Sequence, residues 1–396
     1  MSVLDIAAMA LFLAGILVLM TAAVFLVEVV AAFFPSKPSG ARVSSKPRLA
    51  ILIPAHDEAL VLAETVRSIL PQLASTDRLL VVADNCSDAT AAIATSLGAE
   101  VCIRRDGDRK GKTYALDAGI RRLSEDPPDV VVVVDADCKV SADCLQVVGA
   151  AAFDTGRPAQ AVYEFQAPGK DPASYLVIAA FAARVKNCVR PLGLHRLNLP
   201  CQLAGSGMAF PWSVIAHLDL TSNELAEDLV LGLDLARAGF APRLCPSARI
   251  TSLLPTSPEG QKTQRARWET GHLTTIFRRV PGLFVESASK RNLPLLALAM
   301  DAAVPPLSLH ALVTCILLAG SLIVALCGGS PAPFIVNALA TACLVLALVL
   351  AWLKVGRDSI AVTDLAGASA YALAKIPLYA QIMIGKHVSW IRTKRD

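Results

Sequence analysis

The placement of the apolar residues restricts this chain more than any other feature. Residues 6–34, IAAMALFLAGILVLMTAAVFLVEVVAAFF, carry one charge, Glu28, and are long enough to cross a bilayer as a helix. Residues 306–329 and 332–353 are two more apolar runs, joined by a short Gly-Ser-Pro turn, and read as a membrane hairpin. No Lys or Arg precedes the first run, so a retained anchor is expected over residues 1–34 and not a cleaved signal peptide. Lys37, Arg42, Lys46 and Arg48 follow it, and Lys354 and Arg357 follow the hairpin at 306–353. By the positive-inside rule both flanks are expected to be cytoplasmic. Three spans then keep the middle of the chain and its basic tail on the inner side of a cell membrane.

The remaining apolar segment is weaker. Residues 359–385 contain Asp364, Lys375 and Pro377, and an interfacial segment is expected there in preference to a fourth span. The region 354–396 thus reads as an interfacial segment plus the basic end HVSWIRTKRD, with Trp390 suited to an interface. Residues 291–305 are also expected to be interfacial. The Ser/Pro/Lys-rich stretch 35–47 reads as a linker.

Between these ends, residues 48–290 alternate strand and helix signals. RLAILIPAH (48–56), RLLVVADN (78–85), EVCIRR (100–105) and DVVVVVDAD (129–137) are predicted strands. Helical patterns separate them, the last running from Lys112 through Leu123. This order predicts an α/β domain with a mainly parallel sheet. Ligands of such sheets bind at the carboxyl ends of the strands. Those ends carry His56-Asp57-Glu58, Asp84-Asn85 and Asp135-Ala136-Asp137. Two residues apart on an extended chain, the carboxylates of Asp135 and Asp137 are expected to point the same way. Like charges so placed call for a cation between them.

Several function classes fall away. The net charge is only +4 and aromatics make up 5%, with no basic-aromatic stripe for nucleic acid. The first strand is followed by no G-x-G-x-x-G, which a dinucleotide site would need. GDRKGKT (107–113) is one residue short of a phosphate loop. The ten cysteines include no C-x-x-C, so zinc and a disulfide framework are not expected. A transporter would place ionisable groups in its spans, and here the acids lie in the middle domain.

Chemistry enters through the order of motifs. Asp84 comes first, then Asp135 and Asp137, then ELAEDLVLGLDLARAG (224–239) and QKTQRARWETG (261–271). This series resembles the membrane-bound family 2 glycosyltransferases, the group of cellulose, hyaluronan and chitin synthases and ceramide glucosyltransferase. The spaced acids and the Q-x-x-R-W motif correspond to Asp84, Asp135/Asp137, Asp228 and Gln264/Arg267/Trp268. The resemblance covers roughly residues 48–290 and implies a GT-A nucleotide-diphospho-sugar transferase domain there.

The same resemblance implies roles. Pro54, Glu58 and Asp84 would hold the nucleoside, and Lys112 would lie near the base or phosphates. Asp135 would hold ribose and Asp137 a divalent cation, Mg²⁺ or Mn²⁺, which suits hard oxygen ligands. Asp228 would be the general base, with Glu227 as its neighbour. Gly205, Ser206 and Gly207 in LAGSGMAF (203–210) would let the acceptor or donor sugar approach closely, and Trp268 would stack on a sugar. Gln264 and Arg267, on a short helix, would face the donor diphosphate. The implied activity is inverting transfer from a nucleotide-sugar, a UDP-sugar by expectation, to a membrane lipid, a lipid-linked saccharide or a growing polysaccharide. A channel or export partner would be needed for polymer secretion, because three spans are few for a channel. The alternative is a non-catalytic nucleotide-sugar-binding subunit of an export complex.

Overall fold

A computed structural model describes residues 2–35, 46–221, 224–357, 359–361, 364 and 367–384. Most of the linker 35–47 and the basic tail with Trp390 lie outside the described residues. The described chain divides into two compact units. One is built from residues 46–166 and 199–257, the other from 2–35, 167–198 and 258–384.

In chain order, α1 (Val3–Ala31) precedes β1 (Leu49–Ala55), α2 (Leu62–Ile69), β2 (Arg78–Asp84), α3 (Thr90–Ser96) and β3 (Glu100–Arg104). Then come α4 (Lys112–Leu123), β4 (Val130–Val133), β5 (Cys138–Val140), α5 (Cys144–Thr155) and β6 (Ala159–Gln166). Helices α6 (Ser174–Arg184) and α7 (Arg190–Arg196) follow, joined by a π-helical turn at Val185–Val189. Next are β7 (Met208–Pro211), α8 (Trp212–Ile215), α9 (Glu227–Arg237) and β8 (Arg243–Leu253). The chain continues through α10 (Pro258–Arg278), α11 (Val280–Ser289), α12 (Leu293–Ala303), α13 (Leu307–Leu326), α14 (Ala332–Val355), α15 (Ala368–Leu373) and α16 (Ile376–Met383).

The eight strands among the described residues form one sheet in the order β3-β2-β1-β4-β7-β6-β8-β5. The first four are mutually parallel, whereas β7 runs antiparallel between β4 and β6, and β5 runs antiparallel to β8. Leu49 to Ile53 and Val130 to Val132 are fully buried, as a sheet covered on both faces requires. Ala50, Leu52, Leu80, Val82, Val131 and Val133 share one face and pack with Ala115, Leu116, Ile120 and Leu123 of α4. Helix α4 rests close to the sheet because Gly119 has no side chain: a Cβ there would lie 2.4 Å from Leu52 Cδ1.

Two expectations change. Strand β4 ends at Val133, so Asp135 and Asp137 lie in the turn between β4 and β5 and not on an extended strand. A turn, and not period-2 alternation along a strand, brings the two carboxylates together. The helix bearing Gln264, Arg267 and Trp268 is not short but spans 21 residues.

In the second unit, among the described residues, α1, α13 and α14 are long and apolar enough to cross a membrane. Phe25 and Val29 of α1 pack with Val185, Val189, Leu344 and Ala347. Helix α7 touches α1 backbone to backbone, since a Cβ on Gly193 would lie 1.8 Å from the Glu28 carbonyl oxygen. Beside that contact Arg190 is buried between two carboxylates. Its Nε donates to Glu28 Oε2 at 2.6 Å, and its Nη2 donates to the Asp301 carbonyl at 2.7 Å and to the Asp301 carboxylate.

Candidate active site

The carboxyl ends of β1, β2 and β3 are tied together by side chains. Asp57 adopts a left-handed backbone (φ 54°), and its Oδ1 accepts the amides of Ser87 at 2.6 Å and Asp88 at 3.2 Å. Partial burial opposes its ionisation, but these N–H groups hold its carboxyl below the usual range. Glu58 donates its backbone N–H to Thr90 Oγ1 at 2.8 Å, and Pro54 is half-buried in β1. Asp84 ends β2 and is buried. Its Oδ1 accepts from Arg104 Nη1 at 2.6 Å and from Asn85 Nδ2 at 3.0 Å. Arg104 also pairs with Asp106 and lies 5.5 Å over the Tyr114 ring. Among the sequence candidates Arg104 was absent, although it ends β3 as Asp84 ends β2, and that position was the available signal.

A second cluster gathers around Lys112. This residue opens α4 after Gly111, whose φ of 128° suits glycine alone. Its Nζ forms an ion pair with Asp135 and donates to the Gly205 carbonyl at 2.6 Å. Burial works against its charge, but Asp135, Glu227 and Asp228 outweigh that and raise its pKa, so it stays cationic. Gly205 has φ 88°, and a Cβ there would sit 3.2 Å from Asp228 Oδ2, 3.6 Å from Lys112 Nζ and 4.0 Å from Asp135 Oδ2. Four residues far apart in sequence therefore converge on one point. Asp228 lies in the first turn of α9, where its Oδ1 accepts the Leu229 amide at 2.8 Å.

The loop that carries Gly205 is fixed from beneath. Ser206 is fully buried, and its hydroxyl accepts the Asp135 amide at 3.0 Å, so it supports the aspartate from below. Gly207 is buried as well, and a Cβ there would meet Ala161 Cβ at 2.9 Å. Gln160 brackets the loop, accepting the Ala204 amide at 2.9 Å and donating to the Ser206 carbonyl at 2.8 Å. Gln160 is not among the sequence candidates; its signal was an amide at the second position of the strand AQAVYEFQ.

Asp135, Asp137 and Cys138 bring one potential ligand atom each within 4.8 Å of one another. Burial, then the charges of Asp137 and Asp135, push the Cys138 thiol well above its ordinary pKa, so it remains a neutral thiol. The anionic donors are two hard carboxylates, a set suited to Mg²⁺ or Mn²⁺. Asp137 is steadied by Ser252, whose hydroxyl donates to its Oδ2 at 2.8 Å. Next to the cluster lies a largely apolar cleft of about 480 Å³, bounded by Lys112, Glu227 and Asp228 and walled by Leu116, Leu231 and Phe240.

Gln264, Arg267 and Trp268 lie on α10 in the unit that carries the long apolar helices. Gln264 is buried there, and Arg267 and Trp268 are half-buried.

Comparison with known proteins agrees with this architecture. A family model described as Glycosyltransferase like family 2 matches residues 47–271. A probable glycosyltransferase, YdaM of Bacillus subtilis (strain 168), is 25% identical over 265 residues, covering 60% of this chain. The chain spans 58% of that relative's length. Among solved structures, the mannosyltransferase PcManGT from Pyrobaculum calidifontis, in complex with GDP-Man and Mn²⁺, aligns with a TM-score of 0.60 at 16% identity. That alignment covers 97% of this chain and 100% of the other, and it speaks to the fold. With a mostly parallel GT-A sheet and a family match over more than half its length, the chain belongs to the family 2 glycosyltransferases.

Proposed function

We propose that this chain is an inverting, divalent-cation-dependent hexosyltransferase. It moves a sugar from a nucleotide-sugar, a UDP-sugar, to a lipid, a lipid-linked saccharide or a growing polysaccharide at the cytoplasmic face of the cell membrane. The observation that carries the reading is the convergence of Lys112, Asp135 and Asp228 on Gly205. A base, a cation and a metal-facing acid around a backbone position without a side chain leave room for a reacting sugar.

Asp135 and Asp137 would hold the cation, Mg²⁺ or Mn²⁺, which neutralises charge on the departing diphosphate when bound. Lys112 remains protonated and supplies a second, fixed positive charge. Asp228 accepts the proton of the acceptor hydroxyl as that oxygen attacks the anomeric carbon. One carboxylate base and a single displacement give inversion. Asp84, Pro54 and Glu58 hold the nucleoside, and Arg104 fixes the Asp84 carboxylate. Gln264, Arg267 and Trp268 engage donor or acceptor. The cleft beside Asp228 offers the acceptor a place to enter.

The test is a donor screen in purified membranes with Mg²⁺ or Mn²⁺, following UDP or GDP release and labelled lipid and polymer separately. Asp228→Asn is nearly isosteric and cannot take the proton. Turnover should fall about 10²- to 10⁴-fold with donor affinity little changed. Near-normal turnover in that variant moves the base to Glu227.

A further inference from the structure

The helix α10 carries Gln264, Arg267 and Trp268, and two of its other side chains are gripped from the C-terminal segment of the same unit. Arg265 and Glu269 are four residues apart on α10 and so share a face. Opposite them stand Tyr371 in α15 and Lys375 just before α16. Lys375 Nζ forms an ion pair with Glu269 Oε1 and lies 4.5 Å from the centre of the Tyr371 ring. The Arg265 guanidinium lies 4.9 Å from the same ring. Lys375 and Glu269 are 7% and 8% exposed.

Stability alone explains this arrangement poorly. Glu269 Oε2 is buried with no hydrogen bond of good geometry among the described residues, and the Tyr379 hydroxyl is its polar neighbour. Taking two charges out of water costs several kcal/mol per ion, and a packed apolar pair commonly does as well or better. What an ion pair and two cation–ring contacts supply is a single register. Each favours one arrangement of the two segments. The grip also falls on both sides of Arg267 and Trp268, at 265 before Arg267 and at 269 after Trp268.

We propose that Tyr371 and Lys375 are positioning residues for the Gln264/Arg267/Trp268 motif, clamping α10 through Arg265 and Glu269. The proposal rests on the reading of that motif as engaging donor or acceptor. A shift of about 1 Å in such a group can cost roughly 10²-fold in rate.

The test uses the full chain in detergent with Trp212, Trp352 and Trp390 changed to Phe, which leaves Trp268 as the reporter. Lys375→Met and Tyr371→Leu should shift Trp268 emission and increase its quenching by acrylamide. They should also lower kcat roughly 10²-fold in nucleotide release from UDP-glucose or GDP-mannose with Mn²⁺. Lys375→Arg and Tyr371→Phe keep the cation and the ring, and should stay near the parent in both readouts. An unchanged Trp268 signal and kcat in Lys375→Met would overturn the proposal. So would an arginine variant as impaired as the methionine one, since the contact would then be plain packing. If Lys375→Met does not fold, the Tyr371→Phe and Tyr371→Leu pair decides by the same criteria. Trp268→Ala in the otherwise native chain separates the two layers. Full turnover there refutes the motif reading, while the fluorescence arm still reports on the clamp.

Discussion

Replacing Arg190 with Met should be the most damaging single change in the unit that holds the long apolar helices. Arg190, Glu28 and Asp301 are 4%, 2% and 4% exposed, so water cannot take over when the guanidinium is lost. The side chain makes three charge-assisted or carbonyl bonds, to Glu28 Oε2, to the Asp301 carboxylate and to the Asp301 carbonyl. Its removal leaves two carboxylates buried near each other without a cation. Breaking a buried pair in this way costs about 3–5 kcal/mol. For a unit of this size that is a fall in thermal midpoint of roughly 6–20 °C. Arg190→Lys keeps the charge but loses the fork that serves both acids at once, so it should fall between. The triple change Glu28→Gln, Arg190→Met, Asp301→Asn removes every charge and should recover most of the loss. The assay is thermal unfolding in detergent, followed by tryptophan fluorescence, on all three variants. If Arg190→Met melts within a degree or two of the parent, the acids are solvated or otherwise neutralised and the reasoning fails. If the triple variant is worse than the single one, the cost lies in lost packing and not in unpaired charge.

Three further outcomes are expected. Asp137→Ala should abolish cation-dependent donor binding, checked by titrating Mn²⁺ against a fluorescent UDP-sugar; full turnover in EDTA would refute the cation assignment. Gly205→Ala should cut turnover by at least tenfold, because φ 88° strains any other residue and its Cβ would press on Asp228 Oδ2 at 3.2 Å; wild-type kinetics would remove Gly205 from the site. A cysteine at Pro331 should react with an impermeant thiol reagent from outside the cell while one in the sheet unit should not, and the reverse pattern would invert the topology.

Legibility differed between the sheet and the site. The parallel half of the sheet was readable because buried parallel strands are apolar throughout, as VVVV at 130–133 is, and because helices intervene at regular spacing. Helix α4 begins at Lys112 and ends at Leu123, as its apolar spacing indicates. The antiparallel half was not readable. Strand β7 is four residues long, and nothing in MAFP says that it inserts between β4 and β6. The acids of the site stood out because carboxylates at strand ends and helix starts interrupt apolar patterns. Their supports did not. Ser206 beneath Asp135, Gln160 beneath the glycine loop and Arg104 on Asp84 act through long-range hydrogen bonds, and one-dimensional periodicity carries no trace of those. The pairing of Asp135 with Asp137 was expected for the wrong reason, since a turn and not an extended strand brings them together.

The place of β7 bears on how the chain is made. During synthesis β1 to β4 emerge first and can pair among themselves, but β4 then presents a bare edge of four valines. The strand that covers this edge, β7, leaves the ribosome only after α6 and α7 have been made. At typical elongation rates of about 5–20 residues per second, that edge stays open for several seconds, long compared with strand pairing. An unpaired, fully apolar edge recruits other strands. The nascent half-sheet is therefore the stage at which this chain is most exposed to aggregation, and slower translation through residues 167–207 should lower the yield of folded protein.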